Sequence, residues 1–177
     1  TVNALEVRDP IPSIKIVQFL GALGARIEDY DGHALVRRLE TKLGGEGYYI
    51  NAPFLVDSRK TALDLFNNKS IAETLALAKQ CEVALLGIGS IEKEYSSFYR
   101  AGYVSLKELR ALQAEKAVGD VCGHHFDARG RSTCADFCGR LVGISEKALL
   151  AIPVRIGVAG GMGKVVPVLG ALRGAYI

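Results

Sequence analysis

Apolar segments that end in a glycine-rich turn occur three times in this chain, and they constrain its fold more than any other feature of the sequence. The turns lie at residues 21–24, 87–89 and 160–163, each directly after a segment with the composition of a buried strand. Segments with helical periodicity separate them. Since strands that alternate with helices form parallel sheets, the sequence predicts an α/β fold with an open, mostly parallel sheet and helices on both faces.

The bounds of the elements follow from hydrophobic periodicity and from capping residues. Strands are predicted at residues 14–20, 48–55, 81–86 and 152–159, and residues 118–126 are predicted to be extended up to a hairpin turn at 127–130. Helices are predicted at residues 32–43, 58–66, 70–80, 106–115, 146–151 and 165–173. Ser70 and Ser105 are predicted N-caps, because a glutamate stands three residues after each of them.

The composition is that of a globular protein with a sizeable core. Of 177 residues, 49% are hydrophobic and 23% are charged, which excludes a disordered chain and fits one α/β domain over residues 1–177. The net charge of +3 is too small to indicate a nucleic-acid-binding surface. No apolar run reaches the ~18 residues of a membrane span, and no signal peptide is visible. We therefore expect a cytoplasmic protein without a membrane partner.

Cysteines and histidines between residues 122 and 138 raise the question of a metal site. They are Cys122, His124, His125, Cys134 and Cys138. Their spacing matches no standard zinc motif, and no second Cys-x-x-Cys pair accompanies them. The two neighbouring histidines are expected to point to opposite faces of a strand. The sequence therefore predicts free thiols, no metal and no cofactor.

The last glycine turn is followed by Lys164 and by a predicted helix, an order that is typical of anion sites. Glycines such as Gly160 and Gly161 let the backbone approach a ligand closely, and a helix N-terminus offers free N–H groups and a partial positive charge. A Walker A loop is excluded, because its spacing is absent and Val165 has no hydroxyl group for magnesium. These residues fit a phosphate site, and they equally fit a glycine-rich turn beside a solvated lysine.

Ligands of open α/β sheets bind outside the carboxyl ends of the strands. The three glycine turns are therefore expected to line one crevice that holds a small molecule. None of them shows the G-x-G-x-x-G pattern with a following acid, so a dinucleotide cofactor is not indicated. Tyr95, Tyr99 and Tyr103 recur every four residues, which predicts a packing or interface stripe rather than a stacking platform.

Blocks of sequence in a fixed order carry a resemblance to a known family. They are Leu-Leu-Gly-Ile-Gly-Ser at 85–90, Gly-Asp-Val-Cys-Gly-His-His-Phe-Asp-Ala-Arg-Gly at 119–130, Val-Gly-Ile-Ser at 142–145, Val-Ala-Gly-Gly-Met-Gly-Lys at 158–164 and Ala-Leu-Arg-Gly at 171–174. Together they resemble the sugar-binding domain of the SorC/DeoR-type bacterial transcription regulators, a group that includes the central glycolytic gene regulator. The resemblance covers nearly the whole chain. It implies a Rossmann-like fold similar to that of ribose-phosphate isomerase and glucosamine-6-phosphate deaminase.

The resemblance also implies roles for individual residues. Lys164 falls on the family's phosphate-contacting lysine, and Asp120 falls on an acidic position that accepts hydrogen bonds from sugar hydroxyls. Thr1 corresponds to the end of a phosphate turn, and His33 to a polar ligand contact of some members. With the glycine turns included, the expected ligand-binding residues are Thr1, Gly21, His33, Gly87, Ile88, Gly89, Asp120, Gly160, Gly161 and Lys164. The residues themselves leave two alternatives open: Asp120 as a cap after Gly119, and His33 as a partly exposed histidine at a helix start.

In that family the domain follows an N-terminal helix-turn-helix domain and binds a phosphosugar. We expect this chain to be such an effector-binding domain, to form a dimer or tetramer, and to contact DNA only through a separate domain. The alternative is an enzyme, a sugar-phosphate isomerase or deaminase. Ser90, Ile91 and Glu92 stand where such enzymes have Asp-Gly-His, so no positioned base is evident, and we expect binding without turnover. For the enzyme alternative, Glu92 and Asp120 are the candidate bases.

Overall fold

The computed structural model describes residues 2–23 and 31–177, and the chain divides into two compact units. The first unit comprises Thr1–Cys81 and Val142–Ile144, and the second comprises Glu82–Leu141 and Ser145–Ile177. That residues 1–177 form one effector-binding domain stays a prediction.

The first unit combines a short parallel strand pair with helices. Its elements are β1 (Lys15–Val17), α1 (Gly32–Leu43), β2 (Glu46–Tyr48), α2 (Arg59–Phe66) and α3 (Lys69–Ala78), after a 3-10 turn at Val2–Ala4. β1 pairs in parallel with β2, with Ile16 opposite Gly47. A cluster of buried aliphatic side chains forms a core in this unit: Ile50, Ala52, Ala62, Ile71, Leu75 and Val142.

The prediction that Ser70 caps a helix is wrong. The N-cap of α3 is Asn68, whose side-chain oxygen accepts hydrogen bonds from the N–H groups of Ser70 (3.1 Å) and Ile71 (3.4 Å). The helix consequently begins at Lys69, whereas a cap at Ser70 would make Ile71 its first residue. Asparagine and serine are comparably good N-caps, so the glutamate three residues after Ser70 misled the prediction.

The second unit is built on a four-stranded sheet. Its strands are β3 (Val83–Ser90), β4 (Gly119–Val121), β5 (His124–Phe126) and β6 (Val154–Val158), in the spatial order β5–β4–β3–β6. β3 is parallel to β6 and antiparallel to β4, and β4 is antiparallel to β5. The helices of this unit are α4 (Ser97–Arg100), α5 (Leu106–Ala114), α6 (Ala135–Cys138), α7 (Glu146–Leu150) and α8 (Val165–Arg173). The predicted α/β class is thus confirmed.

The predicted turn at Gly87, Ile88 and Gly89 is wrong, because these residues belong to β3. Gly87 pairs with Val158 of β6, whereas Gly89 pairs with Asp120 of β4. Pairing with β6 on one edge of β3 thus ends at Gly87, and pairing with β4 on the opposite edge begins at Ile88. The glycines lie where these two pairings meet and not at the end of the strand.

Residues 118–126, predicted as one extended segment, form a hairpin instead. β4 and β5 are joined by Cys122 and Gly123, whose φ angles of 50° and 76° suit a tight two-residue hairpin turn. The turn predicted at residues 127–130 is also present. An antiparallel bridge between Phe126 and Ser132 joins the segments before and after this turn.

Exposed and buried side chains alternate along β3. Ala84, Leu86 and Ile88 are buried, whereas Val83 is 55% exposed and Leu85 is 44% exposed. α8 packs against β3 and β4. The exposed residues of β3 lie opposite equally exposed partners on β6, namely Val154 and Ile156.

Two further predictions of local structure are confirmed. Ser105 and Glu108 form a capping box at the start of α5: the serine hydroxyl oxygen accepts from the Glu108 N–H (3.2 Å), and the glutamate accepts from the Ser105 N–H (2.9 Å). α8 spans the predicted residues Val165–Arg173. In the part of the chain that the structure describes, no helix has the length and apolar character needed to cross a membrane.

Candidate functional site

The carboxyl ends of β3 and β6 lie side by side in the second unit, because the two strands are parallel. A glycine turn follows β6, and its backbone is open. A Cβ atom at Gly160 or Gly161 would meet no described atom within 4 Å, and the φ angle of 91° at Gly161 is one that residues with side chains rarely adopt. The turn therefore presents bare backbone at the edge of the sheet where α/β proteins bind ligands.

Lys164 lies at the junction between this turn and α8. Residues Met162–Lys164 form a 3-10 turn in which the N–H of Lys164 donates to the carbonyl of Gly161 (3.1 Å), and Lys164 then occupies the N-cap position of α8. Its side chain is half-buried. Loss of solvation lowers the pKa of the ammonium group, and the nearby Asp120 carboxylate raises it. A partly desolvated cation beside a helix N-terminus attracts an anion more strongly than a fully solvated one.

Asp120 on β4 lies directly over Gly89 on β3. Its side chain is buried (6% exposed), and Oδ2 accepts a hydrogen bond from the N–H of Gly123 (3.1 Å). A Cβ atom at Gly89 would lie only 1.8 Å from Oδ1. The glycine thus provides the space in which the carboxylate is held. The hydrogen bond from Gly123 ties the carboxylate to the β4–β5 turn. Asp120 therefore also makes the kind of backbone contact that the alternative interpretation, a capping residue after Gly119, predicts.

The two residues before Gly89 face different surroundings. A Cβ atom at Gly87 would meet no described atom within 4 Å, so Gly87 leaves open space over β3. Ile88 is buried, and it pairs with Val121 of β4. Its side chain belongs to the core, which leaves only its backbone for a ligand. Ligand contact at both positions stays a prediction.

Tyr95 belongs to this site although its spacing predicted a packing stripe. The loop of residues 91–96 follows β3, and in it the ring of Tyr95 lies against Gly163 of the glycine turn. A Cβ atom at Gly163 would lie 2.3 Å from Cδ2 of the ring. The contact joins segments that are far apart in sequence, so the four-residue periodicity could not reveal it. In the local sequence, the glycine at residue 163 was the only sign that another group packs closely beside Lys164.

Gly21 and His33 belong to the first unit. Gly21 is buried, and a Cβ atom there would lie 2.6 Å from a backbone carbonyl oxygen, so close backbone packing requires glycine. His33 lies in the first turn of α1, where its ring stacks on Tyr49 with a centroid separation of 5.1 Å and its Nε2 lies 3.3 Å from Oδ1 of Asn51. This placement agrees with the alternative in which His33 is a partly exposed histidine at the start of a helix. Thr1 lies outside the described residues.

The cysteines of the second unit are weak nucleophiles. Burial raises the pKa of Cys122 to about 12 and that of Cys134 to about 11, and it also raises the pKa of Cys138. His124 and His125 are both buried in β5. Within residues 2–23 and 31–177, no group of three or more histidine, cysteine, aspartate or glutamate side chains is arranged to hold a metal ion.

Comparison with known protein families identifies relatives of the whole chain. Residues 1–177 match the model of the family described as "Putative sugar-binding domain". The chain is 34% identical over 157 residues to the transcriptional regulator LsrR of Escherichia coli K12, covering 79% of this chain and 50% of the relative. It is 27% identical over 172 residues to the deoxyribonucleoside regulator of Bacillus subtilis, covering 94% of this chain and 52% of the relative. The chain therefore spans about half the length of these curated relatives.

Solved structures agree with this assignment. The full-length sorbitol operon regulator SorC from Klebsiella pneumoniae superposes with a TM-score of 0.90 at 26% identity, over 99% of this chain and 57% of the other. A DeoR family transcriptional regulator from Listeria monocytogenes gives a TM-score of 0.89 at 25% identity, over 99% and 68%. The expected Rossmann-like fold of the SorC/DeoR sugar-binding domains is thereby confirmed.

Proposed function

The chain belongs to the sugar-binding domain family of bacterial transcriptional regulators, and from this premise we propose that it is an effector-binding domain whose ligand is a phosphorylated sugar. One observation carries the proposal: Lys164 is the N-cap of α8, and α8 packs against β4, the strand that holds the buried carboxylate of Asp120. A phosphorylated sugar needs both a cation and a fixed acceptor, and the two residues supply them side by side.

Each part of such a ligand has a matching group in the second unit. The phosphate meets the ammonium group of Lys164 and the N-terminus of α8, and the open backbone of Gly160 and Gly161 lets it approach. Sugar hydroxyls donate to the carboxylate of Asp120, which burial and the bond from Gly123 hold in one orientation. The sugar part of the ligand fits the names of two relatives, which mention sorbitol and a deoxyribonucleoside, both compounds with several hydroxyl groups.

In the complete regulator, the ligand acts on DNA binding through a separate domain. A ligand can shift such an equilibrium only by its difference in affinity for two states, and an interface between subunits is the usual element with two states. We therefore propose a dimer or tetramer in the cytoplasm. Its relatives are transcriptional regulators, which favours ligand binding without catalysis. The domain accordingly binds its ligand without turnover.

The proposal is tested by measuring the melting temperature of the purified chain against a panel of phosphorylated sugars, their unphosphorylated parents and inorganic phosphate. A ligand at about 100 times its dissociation constant adds ~2.7 kcal/mol to the free energy of unfolding, which raises the melting temperature by several degrees. We expect phosphorylated sugars alone to give this increase. A panel without any stabilising phosphosugar would contradict the proposal.

Replacing Lys164 with alanine tests the phosphate contact. Loss of a charge-assisted contact costs ~1.5–3 kcal/mol, so we expect the dissociation constant of the best phosphosugar to rise about tenfold or more. Isothermal titration calorimetry measures it. The matched control is Lys147→Ala, which removes an exposed lysine from α7 of the same unit and should leave binding unchanged. Equal affinity of wild type and Lys164→Ala would contradict the site assignment.

A further inference from the structure

Tyr95 forms a wall of the proposed ligand site. Its ring lies against Gly163, where a Cβ atom would come within 2.3 Å of Cδ2, 2.4 Å of Cε2 and 2.5 Å of Cγ. One edge of the ring therefore takes the space that a side chain at residue 163 would fill, one residue from Lys164. Even so, Tyr95 is 46% exposed, so much of the ring is open to solvent beside the glycine turn.

Hydrogen bonds hold the backbone around Tyr95 in place. The loop leaves β3 at the buried Ser90, whose hydroxyl oxygen accepts from the N–H of Glu92 (3.3 Å). The carbonyl of Glu92 then accepts from the N–H groups of Tyr95 (2.9 Å) and of the buried Ser96 (2.7 Å). Tyr95 thus lies in a hydrogen-bonded turn between the buried residues Ser90 and Ser96.

Contacts from neighbouring helices brace both ends of the same loop. The side-chain amide of Gln113 on α5 donates to the carbonyl of Ile91 (3.2 Å). Ser96 caps α4, since its hydroxyl oxygen accepts from the N–H of Tyr99 (3.3 Å). An aromatic side chain on a backbone that is fixed in this way loses little entropy when a ligand packs against it.

A tyrosine suits one part of a phosphosugar in particular. The C–H groups on one face of a sugar ring are apolar, and they pack against aromatic rings, whereas the phenol hydroxyl can bond to a sugar hydroxyl at the rim. Tyr95 is exposed beside the glycine turn, so its hydroxyl can reach a ligand there. Lys164 provides charge but no shape selection, and Asp120 accepts hydrogen bonds from any polyol.

We propose that Tyr95 is a specificity-determining residue of this site, which contacts the ring of a cyclic sugar phosphate and favours such ligands over acyclic phosphates. The inference rests on the proposed function, because it takes the phosphate to lie at Lys164. It adds the substrate class: a furanose or pyranose phosphate, held by its phosphate on the glycine turn and by one face of its ring against Tyr95.

The test compares dissociation constants of wild type, Tyr95→Ala and Tyr95→Phe by calorimetry. The probes are the tightest-binding cyclic phosphosugar from a panel of glucose 6-phosphate, fructose 6-phosphate and ribose 5-phosphate, then glycerol 3-phosphate, and inorganic phosphate. We expect Tyr95→Ala to weaken the cyclic phosphosugar about three- to tenfold and to leave the other two within experimental error. Tyr95→Phe keeps the ring and should retain most of the affinity.

Two further variants separate ligand contact from a structural effect. Gly163→Ala adds a methyl group where the ring now lies, so it displaces Tyr95 and should reproduce the selective loss for the cyclic probe. The matched control is Tyr99→Ala, four residues further on, whose ring lies beside Lys93 with the ammonium nitrogen 5.9 Å from the ring centroid. It should leave all three affinities unchanged.

The outcomes distinguish this inference from the function on which it rests. An unchanged affinity of Tyr95→Ala for the cyclic phosphosugar, or an equal loss for all three probes, overturns the inference and leaves the proposed function intact. A wild-type chain that binds none of the phosphosugars overturns both.

Discussion

At the scale of single residues, glycines that look alike in the sequence do different work in the fold. Gly87 and Gly89 are two residues apart on β3, and both belong to a glycine-rich segment that predicts a ligand-lining turn. Above Gly87 there is open space, whereas the carboxylate of Asp120 occupies the space above Gly89. Only the arrangement of neighbouring strands makes this difference.

Alanine substitutions at these two glycines should therefore give opposite results. At Gly89 the new Cβ would lie 1.8 Å from Oδ1 of Asp120, so Gly89→Ala should lower the free energy of unfolding by about 1–3 kcal/mol. Gly87→Ala meets no such obstacle and should be neutral or stabilising by up to about 1 kcal/mol, since alanine loses less backbone entropy. Urea denaturation followed by circular dichroism measures both values. Equal effects of the two substitutions would show that Asp120 does not lie over Gly89.

His125 gives a prediction for pH dependence. The side chain is 1% exposed, its ring packs edge-on against Phe137, and its Nδ1 has no hydrogen-bond partner among the described residues. Burial lowers the pKa of His125, although the charge of Asp120 partly opposes this. The imidazole is therefore neutral in the folded chain at a pH where it is already protonated in the unfolded chain.

The unfolded state binds more protons once the pH falls below the ordinary histidine pKa of about 6.5. The contribution of the neutral His125 side chain to the free energy of unfolding is present above that pH. It is lost as the pH falls from there toward the lowered pKa of His125 in the folded state. The expected slope is at most about 1.4 kcal/mol per pH unit. Urea denaturation at pH 7.5 and 5.5 measures it. The His125→Gln variant, whose side chain does not titrate, should show a smaller difference between the two pH values, and an identical difference would refute the argument.

At the scale of elements, capping residues set the helix termini. Where two candidate N-caps lie close together in the sequence, only the structure shows which of them caps the helix. Asn68 and Ser70 are both good N-cap residues, and only Asn68 accepts hydrogen bonds from the free N–H groups of α3. Ser105 has no competitor within its segment, and its capping box is formed as predicted.

The two candidate caps of α3 can be told apart by mutation. Asn68→Ala removes the acceptor for two backbone N–H groups and should cost about 1 kcal/mol of unfolding free energy. Ser70→Ala, at an exposed position inside the first turn, should change stability by less than about 0.5 kcal/mol. Chemical denaturation of the two variants in parallel decides the question, and the reverse order of effects would mean that α3 begins at Ser70.

At the scale of the whole molecule, the chain forms two compact units, and part of one sheet face in the second unit is apolar and exposed. Its residues are Val83, Leu85, Val154 and Ile156. Parallel strands usually have both faces covered. The charge of +3 is spread along the chain without a basic run. Neither feature is typical of a surface that reads DNA.

We therefore expect this chain alone not to bind DNA sequence-specifically. Affinity for DNA scales with the number of phosphates that a protein neutralises, and a scattered charge neutralises few of them. The measurement is a gel-shift titration at physiological salt, in which the chain is compared with a full-length regulator of the family on that regulator's promoter fragment. Specific retardation by the chain alone would contradict the proposed division of roles.

The sequence by itself determined those features that depend on neighbouring residues. Periodicity predicted α1 and α8 with their observed bounds, and serine with a following glutamate predicted the capping box of α5. The glycine turn and Lys164 before α8 are predicted to form an anion site, because helix N-termini, glycine backbone and charge act within a few residues of one another.

Only the tertiary structure decided how distant segments meet. β3 continues through Gly87 and Gly89 because β4 pairs with its last residues on the edge opposite β6, and Asp120 reaches Gly89 because of that pairing. Tyr95 lies on Gly163 for the same reason, since parallel pairing of β3 and β6 brings the segments after both strands to one edge. Strand pairing joins residues of any separation, and no local pattern of side chains records which strands will pair. The sequence therefore determined the glycine turn and the helix that follows it, and the pairing of the strands decided what surrounds them.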